Sequence, residues 1–204
     1  MTTQAVKSRQ PGSRALHQES SIAVRPDGGI RLVIVSDTHG HPHAKGSKLI
    51  AALAPDAILH AGDIGTLAVL EELRTLAPTF VVRGNIDERR SDLPDVMALK
   101  LTAADGSEGA SLLDLLLLHV GVFGVRLQSD ARRLARQYGS KIIICGHSHV
   151  PFIGRDKGVT IFNPGSLGPR RFNLPIVFGV LELVAGRVQL WHVDCETGEP
   201  WMPP

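Results

Sequence analysis

Ile30-Arg31-Leu32-Val33-Ile34-Val35-Ser36-Asp37-Thr38-His39-Gly40 is the stretch that decides the fold. Its first six residues are short, β-branched and almost continuously apolar, the pattern of a strand covered on both faces. The run stops at a polar turn, so the strand delivers Asp37 and His39 at its carboxyl end. Downstream the pattern recurs. Lys45 to Ala54 has helical composition and stops before Pro55, after which Ala57 to His60 is a second brief strand ending at Gly62-Asp63. Leu67 to Leu76 is an amphipathic helix, and Thr79 to Val82 is a third strand that runs into Arg83-Gly84-Asn85-Ile86-Asp87. This β-α-β-α-β rhythm predicts parallel strands with right-handed crossovers.

Further along, Val96 to Thr102 and Ser111 to Val120 read as two strands joined by a tight hairpin turn at Asp105-Gly106, the second ending at His119. Ser129 to Tyr138 is a basic helix closed by Gly139, and Lys141 to Cys145 is a strand that delivers Gly146-His147-Ser148-His149. Gly158 to Phe162, Ile176 to Val184 and Val188 to Val193 are expected as strands of a second sheet, two of them joined at Ala185-Gly186. Upstream, residues 1–29 are rich in Ser, Gln, Arg and Gly without either period. They are expected as a flexible tail, with a short strand at Ile22 to Val24 as the alternative. Residues 30–204 then form one domain.

Composition bounds the function. At 204 residues and 43% hydrophobic content, one domain of this size buries roughly 70% of its unfolded surface. The formal charge of +2 comes from basic residues scattered without a stripe, so nucleic acid is not indicated as a partner. Cys145 and Cys195 have no paired-ligand spacing, which points to a reducing cytoplasm. The N-terminal basic residues lack the apolar stretch of a secretory signal. The longest apolar run, Leu112 to Val120, is broken by Asp114 and His119 and is far short of the ~18 residues of a membrane span.

Asp37, His39, Asp63, Asn85, His119, His147 and His149 all fall at or just past the carboxyl ends of these strands, the edge where open α/β sheets bind ligands. Each has a plainer reading when taken alone. Asp37 would cap a turn, Asp63 would cap a helix, and His119 would be an ordinary buried histidine. His60 and Cys145 read as structural, and Asp87 as an acceptor for loop amides. Taken together, the seven are oxygen and imidazole donors without thiolate, suited to Mn, Fe, Zn, Ni or Co. Two divalent ions, two carboxylates and a bridging hydroxide would leave a net positive pocket that attracts phosphate esters.

The ordered set Asp37-Thr38-His39, Gly62-Asp63, Gly84-Asn85-Ile86-Asp87, His119 and Gly146-His147-Ser148-His149 resembles the calcineurin-like metallophosphoesterase superfamily. Arg83 before Gly84-Asn85 and Asn163-Pro164-Gly165-Ser166 followed by Pro169-Arg170 are similar to its small prokaryotic phosphodiesterase branch. The resemblance implies a four-layer α-β-β-α sandwich with two mixed β-sheets. It implies one ion on Asp37, His39 and His149, another on Asn85, His119 and His147, and Asp63 between them, with Mn the foremost metal and Asn85 and His119 acting in catalysis. A small phosphodiester is the expected substrate, and a homodimer or tetramer the expected assembly.

Two departures matter. Many relatives carry a leaving-group His where this chain has Ile86, and a second His where it has Val120-Gly121 after His119. His41 and His43 are the only nearby histidines that would partly substitute. Arg83, Arg170 and Arg171 are candidates for the rim. The rival expectation is a catalytically weak scaffold for protein interaction, since a eukaryotic retromer subunit shares this small fold; a phosphomonoesterase or nuclease is the other alternative.

Overall fold

Alternation along the strands sorts the core into three slabs. The computed structural model describes residues 15–87, 90–105 and 111–202. In chain order the first strands are β1 (His17–Ala23), β2 (Ile30–Val35), β3 (Ala57–His60), β4 (Thr79–Val81), β5 (Val96–Thr102) and β6 (Leu113–Leu118). They are followed by β7 (Val122–Phe123), β8 (Arg126–Leu127), β9 (Ile142–Ile144), β10 (Phe152–Asp156) and β11 (Val159–Asn163). The last strands are β12 (Val177–Val184), β13 (Arg187–Asp194) and β14 (Pro200–Trp201). The helices are α1 (Gly46–Ala52), α2 (Leu67–Leu76) and α3 (Ser129–Gln137), with a 3-10 turn at Asn85–Asp87.

One six-stranded sheet has the order β1-β5-β6-β9-β11-β10, the other β14-β13-β12-β2-β3-β4, and β7 and β8 form a separate hairpin. Both large sheets are mixed, because each contains parallel and antiparallel neighbours. Successive side chains point to opposite faces of a strand. Leu32 and Ile34 therefore meet Leu115, Leu117, Ile142 and Ile144 between the sheets, whereas Val33 and Val35 face Ile50, Leu70 and Leu73 of α1 and α2. On the far side Leu116, Leu118 and Ile143 pack against Ala131, Leu134 and Ala135 of α3. The result is the expected four-layer α-β-β-α sandwich, and it explains why β9 is apolar at every position and β2 and β6 at all but one, Arg31 and Asp114. Among the described residues no helix is long and apolar enough to cross a membrane.

Three expectations change. Residues 17–23, expected within a flexible tail, form β1, an edge strand parallel to β5 with His17 opposite Val96 and Ala23 opposite Thr102. Its Gln, Glu and Ser side chains alternate toward solvent and only Ile22 enters the core, so its composition resembles a tail while its backbone joins a ladder. Residues 1–14 lie outside the described residues. Val159–Asn163 belongs to the β5–β6 sheet, parallel to β9, and not with β12 and β13, which extend the β2 sheet. Strand composition carries no information about which neighbour a strand will choose. Finally, β5 and β6 pair antiparallel but are connected over residues 103–112, longer than a two-residue turn; Gly106 of the expected Asp105-Gly106 turn lies outside the described residues.

Candidate metal centre

The carboxyl ends of β2, β3 and β4 in one sheet and of β6 and β9 in the other open onto a common edge, and the chain there is held in costly conformations. Asp37 (φ 55°), His39 (φ 47°), Asp63 (φ 54°), His147 (φ 69°) and His149 (φ 58°) all adopt left-handed backbone angles. For residues other than Gly this costs roughly 1–2 kcal/mol each, and it persists only where surrounding contacts over-determine it. The loops after β2 and β3 supply such contacts: Asp37 N donates to Gly62 O at 2.9 Å, His39 N to Asp63 O at 3.0 Å and Gly40 N to Ile64 O at 2.7 Å. Close approach fixes the neighbours as well. A Cβ on Gly84 would lie 2.2 Å from Asp63 N, and one on Gly146 would lie 2.7 Å from Asp37 Oδ2.

Buried polar side chains brace these loops from behind. The Asp87 carboxylate accepts from Gly84 N at 2.8 Å, from Ile64 N at 3.1 Å and from Gly65 N at 3.2 Å, tying the loop after β4 to the loop after β3. His60 accepts from Gly62 N at Nδ1, so its Nε2 carries the proton and donates to Thr38 Oγ1 at 3.0 Å, which in turn donates to Ile64 O. Asn163 Nδ2 donates to Gly146 O and to Ser148 Oγ, and Ser166 Oγ donates to Asp37 O at 2.9 Å. The Asn163-Pro164-Gly165-Ser166 turn thus steadies both the Asp37 loop and the histidine loop after β9.

On this frame the donors converge. Asp37, His39 and His149 offer ligand atoms within 4.8 Å of one another, and so do Asp37, Asp63 and His119. His39 Nε2 faces His149 Nε2 at 3.2 Å, with the rings stacked at 5.1 Å. Asp63 turns Oδ1 toward His119 Nε2 at 3.3 Å and Oδ2 toward His39 Nε2 at 3.8 Å. His149 Nε2 lies 3.4 Å from Asp37 Oδ1, whose carboxylate also accepts the His147 backbone N–H.

Asp37 is fully buried and Asp63 and His119 nearly so. Burial pushes the Asp37 carboxyl up to about 6. Burial acts on Asp63 in the same direction, but its contacts with His119, the Ile86 amide and His39 outweigh it and hold the group at about 2. Desolvation lowers His39 and His147 and takes His149 down to about 4, aided there by Arg171 and His39. Burial opposes the charged form of His119, yet Asp63 and Asp37 beside it raise its pKa.

This donor set fits divalent cations. His119 Nδ1 donates to Ala61 O at 2.7 Å, which directs Nε2 into the cluster, where it is buried facing Asp63 Oδ1 and, among the described residues, makes no aligned hydrogen bond. His39, His147 and His149, shifted toward neutrality, present lone pairs at neutral pH, the state a metal requires. Two imidazole nitrogens facing each other at 3.2 Å are likewise reconciled by a shared cation.

The remaining expected residues stand at the margin. His147 is exposed and meets His119 edge-on at 5.2 Å. Asn85, also exposed, lies between Gly84 and Ile86, both of whose backbones touch Asp63, and it lines a cavity together with His119. The second donor group in the structure is therefore completed by Asp37, with Asn85 and His147 at its edge. His43 Nδ1 accepts from the Lys45 amide, and neither it nor His41 belongs to a donor group among the described residues. Arg83 Nε binds Asp95 and lines a cavity with Asn85 and His119, and Arg170 pairs with Glu196 and Leu174 O. Arg171 is near enough to act on His39 and His149. The structural role expected of His60 takes the form of this bracing through Thr38; a histidine ending an apolar strand gives no sign of which loop it will hold.

Comparison with known proteins agrees with this architecture. Residues 30–186 match the family model described as calcineurin-like phosphoesterase superfamily domain. Over 155 residues the chain is 30% identical to a probable metallophosphoesterase of Methanothermobacter thermautotrophicus, covering 71% of this chain and 81% of that protein. Vacuolar Protein Sorting 29 from Cryptosporidium parvum has a similar fold, with a TM-score of 0.64 at 17% identity over 85% of this chain and 95% of its own. A phosphoesterase from E. coli superposes with a TM-score of 0.54 at 20% identity, covering 84% of this chain and 96% of that one.

Proposed function

Because the chain belongs to the calcineurin-like phosphoesterase superfamily, we propose that it hydrolyses phosphate diesters with two divalent metal ions held at the Asp37–Asp63 cluster. The observation that carries this reading is the Asp63 carboxylate, which turns one oxygen toward His119 and the other toward His39, as a bridging ligand would. Asp37, His39 and His149 would hold one ion, and His119, His147 and Asn85 the other, with Mn foremost among Mn, Fe, Zn, Ni and Co. Two such ions supply Lewis acidity toward phosphoryl oxygens and lower the pKa of water toward neutrality.

The chain's own groups do the positioning. Ala61 O fixes the His119 tautomer, and Asn85 sets a neutral amide beside it, where it donates to a phosphoryl oxygen that gains charge in the transition state. Arg171 adds positive potential on the His39–His149 side. Ile86, half exposed after Asn85, has no proton to give to a leaving group. Loss of a general acid costs typically ~10²–10⁴-fold, felt most by poor leaving groups. The reading therefore favours diesters with a good leaving group.

Mn-reconstituted protein should hydrolyse methyl p-nitrophenyl phosphate far faster than an alkyl diester such as diethyl phosphate. Equal rates on both would refute the leaving-group bias, and no hydrolysis of either would refute the activity. The likeness to Vacuolar Protein Sorting 29 supports a second reading, a scaffold for protein interaction. A pure scaffold would hold substoichiometric metal and gain no esterase activity on addition of Mn.

A further inference from the structure

We propose that the segment Ala15–His17, together with α3, walls a pocket for a nucleoside-sized organic arm of the ester; this rests on the phosphodiesterase reading above. A cavity of about 410 Å³ lies beside the centre, with Asn85 and His119 among its lining residues. That volume lies in the range of roughly 300–1,000 Å³ typical of small-molecule sites and is far more than a methyl arm would fill. Its floor is apolar, formed by Val96, Leu118 and Leu134, all buried. Its walls are polar: His17, Arg83 and Arg133 line it together with Asp95 and Asp130, each of these carboxylates paired to one of the arginines. An arm with an apolar face and hydrogen-bond acceptors on its edge matches both surfaces.

The wall is built and not draped. Leu16 N donates to Asp95 Oδ2 at 2.6 Å, and Asp95 N donates back to Leu16 O at 2.8 Å. The other oxygen of Asp95 accepts from Arg83 Nε at 2.5 Å, so the residue that holds the N-terminal segment also holds the loop that carries Asn85. His17 Nδ1 and the Tyr138 hydroxyl, 3.1 Å apart, join the segment to the end of α3. Among the described residues Arg133 pairs only with its own helix neighbour Asp130, at 3.5 Å, with both side chains largely exposed, so that pair holds the guanidinium weakly. The family match begins at residue 30, and the Ala15–His17 side of the wall lies upstream of it. That side of the pocket thus stands outside the matched core while the rest is built from it, placed where it selects the ester arm that does not leave.

Two variants test this without touching the donor cluster: Ala15→Trp, which fills the pocket from an exposed position, and Arg133→Ala, which removes the cation. Calorimetric binding of thymidine 5′-monophosphate and of methyl phosphate to Mn-loaded protein is the direct readout. The wild type should favour the nucleotide by about tenfold or more, equivalent to about 1.4 kcal/mol, and each variant should lose most of that preference. Equal binding of the two probes by the wild type, no measurable nucleotide binding, or a preference intact in both variants would overturn the assignment. Kinetics on thymidine 5′-(p-nitrophenyl phosphate) and methyl p-nitrophenyl phosphate, which share a leaving group, should show the same loss in kcat/KM for the first substrate alone. If neither ester is hydrolysed while the binding preference and its loss persist, the phosphodiesterase reading fails and the pocket stands.

Discussion

Asp87 shows how much of this site is carried by a residue that ligates nothing. Three backbone amides from two loops converge on its buried carboxylate, and those loops hold Asp63 and Asn85. Asp87→Ala leaves the three donors without their acceptor, at a cost of about 3 kcal/mol. A displacement of Asp63 by an ångström would lower kcat by about 10²-fold, measurable beside the loss of stability by denaturant unfolding. Retention of both stability and kcat would show that the loops hold themselves. His60 makes a pH-dependent contribution. Burial drives its folded pKa to about 4 from an ordinary 6.5, so the unfolded chain takes up the proton first. Stability on this account is full above about pH 6.5 and falls by about 3 kcal/mol as pH drops to 4. His60→Gln should flatten that limb of the stability–pH curve relative to the wild type, and an unchanged slope would contradict the assignment. The candidate donors that the structure groups, Asp37, His39, Asp63, His119 and His149, were legible in the sequence because each follows an apolar run at a strand end. The left-handed angles of Asp37, Asp63 and His149 were not: Asp and His enter that region more often than most side chains, but still too rarely for the residue type to mark the position.

Among the elements, the strands that carry the site are buried on both faces, and this is what made them readable. β6 sends Leu115 and Leu117 between the sheets and Leu116 and Leu118 toward α3, then ends at His119. Leu117→Ala, at a fully buried position, should cost about 2–5 kcal/mol in chemical unfolding, because the surrounding slab can collapse only partly around the void. A cost under about 1 kcal/mol would mean that the inter-sheet slab is looser than the packing indicates. The helix α2 was readable to its boundaries from its period, whereas β1 was not, because an edge strand with one core residue has the composition of a tail. The assignment of β11 to the β9 sheet was equally hidden: pairing partners depend on contacts between segments far apart in sequence, which local pattern does not encode.

For the whole molecule, two mixed sheets are stacked so that the carboxyl ends of β2, β3 and β4 in one and of β6 and β9 in the other share an edge, and the site exists only because of that stacking. The order of motifs along the chain carried the family, and the family carried the layers; the distances between side chains came from the fold alone. Removing cations from such a cluster leaves two buried carboxylates and facing imidazoles with nothing between them, so chelation should lower Tm and Mn should restore it. The central claim is that this cluster is a paired-cation site. Its most direct measurement is the metal content of Mn-reconstituted, desalted protein by elemental analysis, in parallel with Asp63→Ala. The account predicts about two ions per wild-type chain and a clear loss of bound metal in the variant. Less than about one ion per wild-type chain, or a variant that binds as much metal as the wild type, would contradict it.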